Sequence, residues 1–126
     1  HQMPLWPGSG RMDETGEYDN IVNIPLEPGT GGAEMRRAYE AHVWPRLRAF
    51  APELIFISAG FDAHAADPLA NLMWTEEDFT WLTRKICEIA AECCAGRVVS
   101  ALEGGYDLEA LGRSAAAHVT ALKEFA

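Results

Sequence analysis

The chain has 126 residues, which is the size of a single domain. Its 10 lysines and arginines against 19 aspartates and glutamates give a net charge of −9, which argues against binding to nucleic acid or to anionic membrane surfaces. Apolar residues make up 48% of the sequence, and no apolar run is long enough to span a bilayer. The composition therefore indicates an ordinary globular domain.

The first fifth of the sequence predicts a loop followed by a short strand. Residues 1–20 are rich in glycine, proline and acidic side chains and show no periodicity. The β-prone run Ile21–Ile24 is ended by Pro25, so we expect a short strand there. The chain begins at His1 and not at methionine, which leads us to expect a fragment of a larger fold.

The next segment predicts a helix and then a buried strand. Apolar residues recur at three- and four-residue spacing from Ala33 to Phe50, and Pro45 inside this pattern should kink or restart the helix. The continuous apolar run Leu54–Ser58 lacks alternation. It therefore predicts a strand of a parallel sheet with both faces buried.

A second helix, a second buried strand and a third helix follow. Thr75 and Asp78 resemble a capping box, Gly96 should end the helix they open, and Asp107 can cap the last helix. The strand between them is Val98–Leu102. Alternating strands and helices predict an α/β fold, a parallel sheet flanked by helices. The residues of the last helix expected to face inward are Leu108, Leu111, Ala115, Val119 and Leu122.

The cysteines indicate a reducing environment. Cys87, Cys93 and Cys94 lie in one stretch, no secretory signal precedes them, and adjacent cysteines make a strained disulfide. We therefore expect a cytoplasmic protein with thiols packed in its core. His42 and His118 fall within predicted helices, where they are expected to be solvated or to pack between helices.

Two unusual loops follow the two buried strands directly. The first is Ser58–Leu69 and the second is Glu103–Asp107. Ligands of open α/β sheets bind at the carboxyl ends of the strands, so both loops should open on the same rim.

Asp62 is the first candidate residue, and its spacing leaves several roles open. A carboxylate after the turn at Gly60 could bind a metal, act as a base or cap a turn, and spacing alone favours a loop aspartate satisfied by backbone N–H groups. His64 and Asp67 add to the metal option. However, zinc needs three or four protein ligands.

Tyr106 is the second candidate. Gly104 and Gly105 give the backbone before it unusual freedom, and a phenol at a strand end can donate a hydrogen bond to a developing oxyanion. On spacing alone, the favoured interpretation is a tyrosine that packs over the sheet edge with its hydroxyl in water.

Both loops resemble those of a known family. Residues 58–64, 67–69 and 103–106, preceded in order by residues 1–10 and 23–26, are similar to the motifs of the zinc-dependent histone deacetylases. The closest branch is the class II-like one, which includes the bacterial histone-deacetylase-like amidohydrolases. The resemblance covers nearly the whole chain.

The resemblance implies a fold, a reaction and a site. It implies that residues 1–126 are the C-terminal fragment of one catalytic domain with the arginase/deacetylase-type α/β fold. That domain hydrolyses acetyl-lysine or acetyl-polyamine amides with a Zn²⁺ ion held by Asp, His and Asp. Asp62 is then the last zinc ligand, and Tyr106 is the catalytic tyrosine that stabilises the tetrahedral oxyanion. The implied pocket neighbours are Gly60, Phe61, His64, Gly104 and Gly105.

The sequence also lacks parts that the family uses. Its histidine pair and its other two zinc ligands are not found in this chain, so we expect the fragment alone to be inactive and to bind zinc weakly or not at all. One alternative is a non-catalytic α/β interaction module that forms a homo-oligomer, either through an exposed sheet edge or through the apolar surface on which the rest of the domain would pack. A remoter alternative is an arginase-like dimetal hydrolase, against which the tyrosine argues.

Overall fold

The structure is a computed structural model that describes all 126 residues. Residues 1–31 run as an irregular segment before the first helix. None of the helices is long and apolar enough to cross a membrane. The regular elements, in chain order, are α1 (Gly32–Ala38), a π-helical turn (Tyr39–Val43), α2 (Trp44–Phe50), β1 (Ile55–Ala59), α3 (Glu76–Cys94), β2 (Val98–Leu102) and α4 (Leu108–Lys123).

The sheet has two parallel strands, which confirms the α/β class. β1 and β2 pair in register from Ile55 opposite Val98 to Ala59 opposite Leu102, and α3 makes the connection between them. The predicted strand at Ile21–Ile24 is wrong, because that run has no strand beside it to supply a hydrogen-bond ladder. Only Leu26, after the proline, forms an isolated bridge, with Gln2.

The first predicted helix is interrupted where its proline requires it. Pro45 has no N–H to donate, so the regular ladder cannot run through it. The chain instead makes the π-helical turn Tyr39–Val43 and restarts as α2, with Pro45 in the first turn. The prediction of a kink or restart is confirmed.

The two predicted caps are also present. A capping box of Thr75 and Asp78 opens α3, and Asp78 Oδ1 is in addition 2.7 Å from Arg36 Nη2 of α1. Asp107 Oδ1 accepts the N–H of Ala110 at 2.8 Å at the start of α4. These side chains satisfy N–H groups that the first helical turn leaves without partners.

The helices cover one face of the sheet, and the opposite face is open in this chain. Ile55 and Ala59 of β1 are buried, whereas Phe56 and its partner Val99 are 62% and 48% exposed. The expectation that both strand faces are buried is therefore wrong for these 126 residues, because no element packs on the second face. The main core cluster consists of Ile24, Leu26, Met35, Ala59, Phe61, Leu72, Trp74 and Phe79.

The last helix presents a different face from the one predicted. Leu108 and Val119 are 80% and 51% exposed, so two of the five residues expected to face inward are wrong. α4 packs mainly against α3, and small side chains allow that close approach. The buried residues of α4 are Ala110, Ser114, His118 and Ala121.

Candidate functional site

The loops that follow β1 and β2 lie side by side at one end of the sheet. We call residues 60–75 the aspartate loop and residues 103–107 the tyrosine loop. Glu103 N donates to Ala59 O at 3.0 Å, and Phe61 N donates to Gly104 O at 2.8 Å. These bonds extend the pairing of the strands into both loops, so the two loops open on the same rim as expected.

Asp62 lies in a space that two glycines leave free. A methyl group added at Gly104 would come 2.9 Å from Asp62 Oδ2, and one added at Gly60 would come 3.0 Å from Oδ1. The carboxylate is half-buried and accepts no hydrogen bond within the chain. The turn role that spacing favoured is therefore filled by another residue, and both Asp62 oxygens are free to bind a ligand.

Tyr106 is held by its backbone while its ring is exposed. The side chain is 55% exposed, and its hydroxyl has no partner within the chain. Gly105, just before it, has φ of +136°, in the region that favours glycine, and an added Cβ there would meet Leu111 Cδ1 at 2.9 Å. The phenol is thus presented at the strand end with its donor free.

Asp67 is the loop carboxylate that satisfies backbone N–H groups. Its side chain is buried, and Oδ1 accepts from Leu69 N at 2.9 Å and from Ala70 N at 3.1 Å. Its other oxygen accepts from Tyr106 N at 2.9 Å. The carboxylate therefore joins the aspartate loop to the tyrosine loop, and it has no free oxygen to offer a metal.

His64 faces the start of α3. Its Nδ1 accepts the N–H of Ala66 at 3.0 Å, which leaves the other ring nitrogen to carry the proton of the neutral form. That nitrogen, Nε2, lies 3.4 Å from Glu76 Oε1, which also accepts from Arg113 Nε at 2.6 Å. Arg113, the backbone and His64 lower the pKa of Glu76 to about 2. His64 is thus fixed within the aspartate loop through Nδ1, and its buried Nε2 lies beside the start of α3 without a hydrogen-bond partner.

A cavity of about 630 Å³ opens beside the aspartate loop. Gly60, Phe61 and Asp62 line one wall, and Leu5 and Trp6 of the N-terminal segment line another. Trp6 is 90% exposed, so its indole forms part of the cavity mouth. The remaining residues of the expected pocket lie outside this lining, namely His64, Gly104, Gly105 and Tyr106.

His118 is a buried polar residue whose position was left open. Its Nδ1 lies 2.7 Å from Thr83 Oγ1 of α3, and its Nε2 lies 2.9 Å from Ser100 Oγ of β2. Burial lowers the pKa of His118. Of the two expected roles, packing between helices is confirmed for His118, whereas His42 is solvated. The small-residue spacing of Ala110 and Ser114 before His118 is the sequence signal for this packed face.

A metal ion bound by this chain alone would need a set of side chains that could hold it. No group of three or more His, Cys, Asp or Glu side chains converges so as to hold a metal ion. Asp62 alone combines two unpaired oxygens with a position on the cavity wall, which suits a single carboxylate ligand of zinc. Further ligands would have to come from outside these 126 residues. The three cysteines are free thiols, two of them buried, and are not part of the site.

The chain as a whole is similar to known proteins of one family. Residues 1–122 match the family model described as histone deacetylase domain. The chain is 44% identical over 119 residues to a rice protein named histone deacetylase 10, chloroplastic, covering 92% of this chain and 27% of that protein. It is 41% identical over 112 residues to a probable deacetylase of Archaeoglobus fulgidus, covering 86% of this chain and 31% of that protein.

A solved structure gives the same result. The crystal structure of the HDA15 HD domain superposes with a TM-score of 0.89 at 32% identity, covering 100% of this chain and 36% of that one. The chain belongs to the histone deacetylase family, a family of hydrolases. It spans 27% of the rice relative, 31% of the Archaeoglobus relative and 36% of a third curated relative.

Proposed function

We propose that this chain supplies one zinc ligand, Asp62, and the oxyanion-binding tyrosine, Tyr106, of a zinc-dependent deacetylase. The observation that carries the proposal is that a carboxylate and a phenol, neither of them hydrogen-bonded within the chain, lie on two adjacent loops at the carboxyl ends of parallel strands. A bound zinc ion polarises a carbonyl and acidifies water. Family membership supports this assignment.

The reaction is amide hydrolysis. Water adds to the acetyl carbonyl and the carbon–nitrogen bond breaks, so that acetate and a protonated amine leave, with both protons of the water ending on the amine nitrogen. Tyr106 would donate a hydrogen bond where negative charge develops on the former carbonyl oxygen. The group that moves the proton is not among the site residues of this chain, so the chain alone is expected to be inactive.

The substrate is proposed to be acetyl-lysine or an acetylated polyamine. Both carry an apolar alkyl chain beside the amide, and the exposed indole of Trp6 at the cavity mouth can cover such a chain. The net charge of −9 favours approach of a cationic substrate. The unpaired thiols are compatible with the cytoplasmic location we propose.

The test uses a complete deacetylase domain that contains this chain. Tyr106→Phe should lower kcat by about a hundredfold with unchanged zinc content, because one oxyanion donor is lost. Asp62→Asn should instead lower zinc content. Near-normal turnover of the Tyr106→Phe protein would refute the assigned role, and robust zinc-dependent turnover by the 126-residue chain would refute its inactivity.

A non-catalytic, self-associating module remains the second candidate, and the open sheet face favours it. Phe56 and Val99 lie side by side and exposed on that face. Apolar patches of this kind drive association. Light scattering of the isolated chain should then show a homo-oligomer, and a monodisperse monomer at high concentration would contradict this candidate.

A further inference from the structure

Asp67 is placed to control the distance between the two functional loops. It is 8% exposed, and its carboxylate accepts three backbone N–H groups, two from its own turn and one from Tyr106. A carboxylate accepts at both oxygens and donates at neither. Asp67 is therefore matched to a site that presents donors only.

A short series of turns connects Asp62 to this carboxylate. His64 N donates to Phe61 O at 3.1 Å, and Asp67 N donates to His64 O at 2.9 Å. The loop between the two aspartates is thus hydrogen-bonded at each step. These main-chain bonds do not involve the Asp67 side chain, so a change of that carboxylate leaves the position of Asp62 intact and releases Tyr106.

Tyr106 has little else to fix its position. Its ring is more than half exposed, and two glycines precede it, of which Gly105 has a positive φ. The N–H donated to Asp67 is the only hydrogen bond that Tyr106 makes within the chain. Without that bond, the backbone that carries the phenol would lose its only polar contact.

We propose that Asp67 is a positioning residue that clamps the backbone of Tyr106 to the aspartate loop and so sets the phenol relative to Asp62. This inference rests on the proposed deacetylase function for its catalytic consequence. The clamp itself is a property of the loops. Hydrogen bonds to an ionised acceptor are roughly twice as strong as those between neutral groups, which suits a contact that joins two loops.

Asp67→Asn tests whether one side chain must accept hydrogen bonds both from its own turn and from Tyr106 N. In Asp67→Asn the amide has one acceptor oxygen, so either the turn donors or Tyr106 N must face an NH₂ group. Asp107→Asn is the matched control, because Asp107 lies next to Tyr106 and accepts one N–H as a helix cap, a role that asparagine fills equally well.

The activity test is a double-mutant cycle in the complete domain that contains this chain. Asp67→Asn should lower kcat by roughly tenfold to a hundredfold, since small misplacements of a catalytic group have effects of that size. KM and zinc content should stay within about twofold, and in the Tyr106→Phe background the same change should cost less than about twofold, because coupled residues are non-additive. Fully additive effects, or an equal loss in Asp107→Asn, would overturn the proposal.

Two measurements do not depend on the folding of the asparagine variant, and the second of them does not depend on activity either. Replacing Tyr106 with its α-hydroxy-acid analogue removes only the N–H and leaves Asp67 in place, and it should reproduce the fall in kcat. In the unaltered protein, amide hydrogen exchange at Tyr106 should be slow, whereas exchange as fast as in an unstructured peptide would refute the clamp. An inactive parent domain would refute the proposed function, while the exchange result would still decide the clamp.

Discussion

Gly104→Ala offers a direct test of how Asp62 is positioned. The added Cβ would come 2.9 Å from Asp62 Oδ2 and 3.1 Å from its Cγ, compared with ordinary contact distances of about 3.5–4.0 Å. The carboxylate must therefore move by about half an ångström. That movement is sterically easy because Asp62 is unbonded, but metal–ligand distances are set to within about 0.2 Å.

We expect Gly104→Ala to weaken zinc binding by about 10–100-fold in the complete domain, the size of effect seen when ligand orientation is disturbed. Competition with a chromophoric chelator would measure the affinity, and circular dichroism would confirm the fold. Gly112→Ala is the control, because nothing lies within 4 Å of its added Cβ. It should leave zinc affinity unchanged and stabilise α4 by about 0.5–1 kcal/mol. Unchanged zinc affinity in Gly104→Ala would refute the ligand assignment of Asp62.

Three further predictions concern stability and pH. Gly32→Ala places a Cβ against Oδ1 of the buried Asp78, which must move away, and should lower the free energy of unfolding by about 1–3 kcal/mol in denaturant titrations; an unchanged free energy of unfolding would contradict the packing. Because burial lowers the pKa of His118, its contribution to the free energy of unfolding should be fully present above about pH 6.5 and should be lost as the pH drops below it. Urea titrations at pH 7.5 and 5.5 should show that His118→Gln removes this difference. The pKa of Glu76 is about 2, and in Arg113→Ala a titration followed by carboxyl NMR shifts should find it raised toward 4.5. The stability that the protein loses as the pH falls from about 4.5 to 2 should then be smaller. An unchanged pKa in this variant would show that Arg113 is not its cause.

The elements with local signals were predictable from the sequence. The capping box at Thr75, the helix end near Gly96 and the cap at Asp107 are all where the sequence indicated. Each depends on contacts within three or four residues, so no knowledge of distant packing is needed. The two strands, each a continuous apolar run, were found for the same reason.

The failures are those in which distant packing decides. Ile21–Ile24 has strand composition, but composition cannot show that no neighbouring strand is available. α4 turns small residues and His118 toward α3 and leaves Val119 exposed, because close helix contact selects for size as well as hydrophobicity. Asp67 looked like one of several acidic loop residues, and its three N–H donors, one of them 39 residues away, appear only in the folded structure.

Main-chain hydrogen bonds and glycines set the positions of Asp62 and Tyr106. The side chains assigned to the reaction are therefore not the ones that stabilise the fold. Asp62 and Tyr106 make no side-chain hydrogen bond within the chain, whereas the loops that carry them are joined by main-chain bonds and by Asp67. Replacing either functional side chain therefore removes no interaction on which the fold depends. Asp67 is the opposite case, because its side chain is structural and its effect on chemistry is indirect. Variants of Asp62 or Tyr106 should therefore lose activity at an unchanged free energy of unfolding. Variants of Asp67 should lower both the activity and the free energy of unfolding.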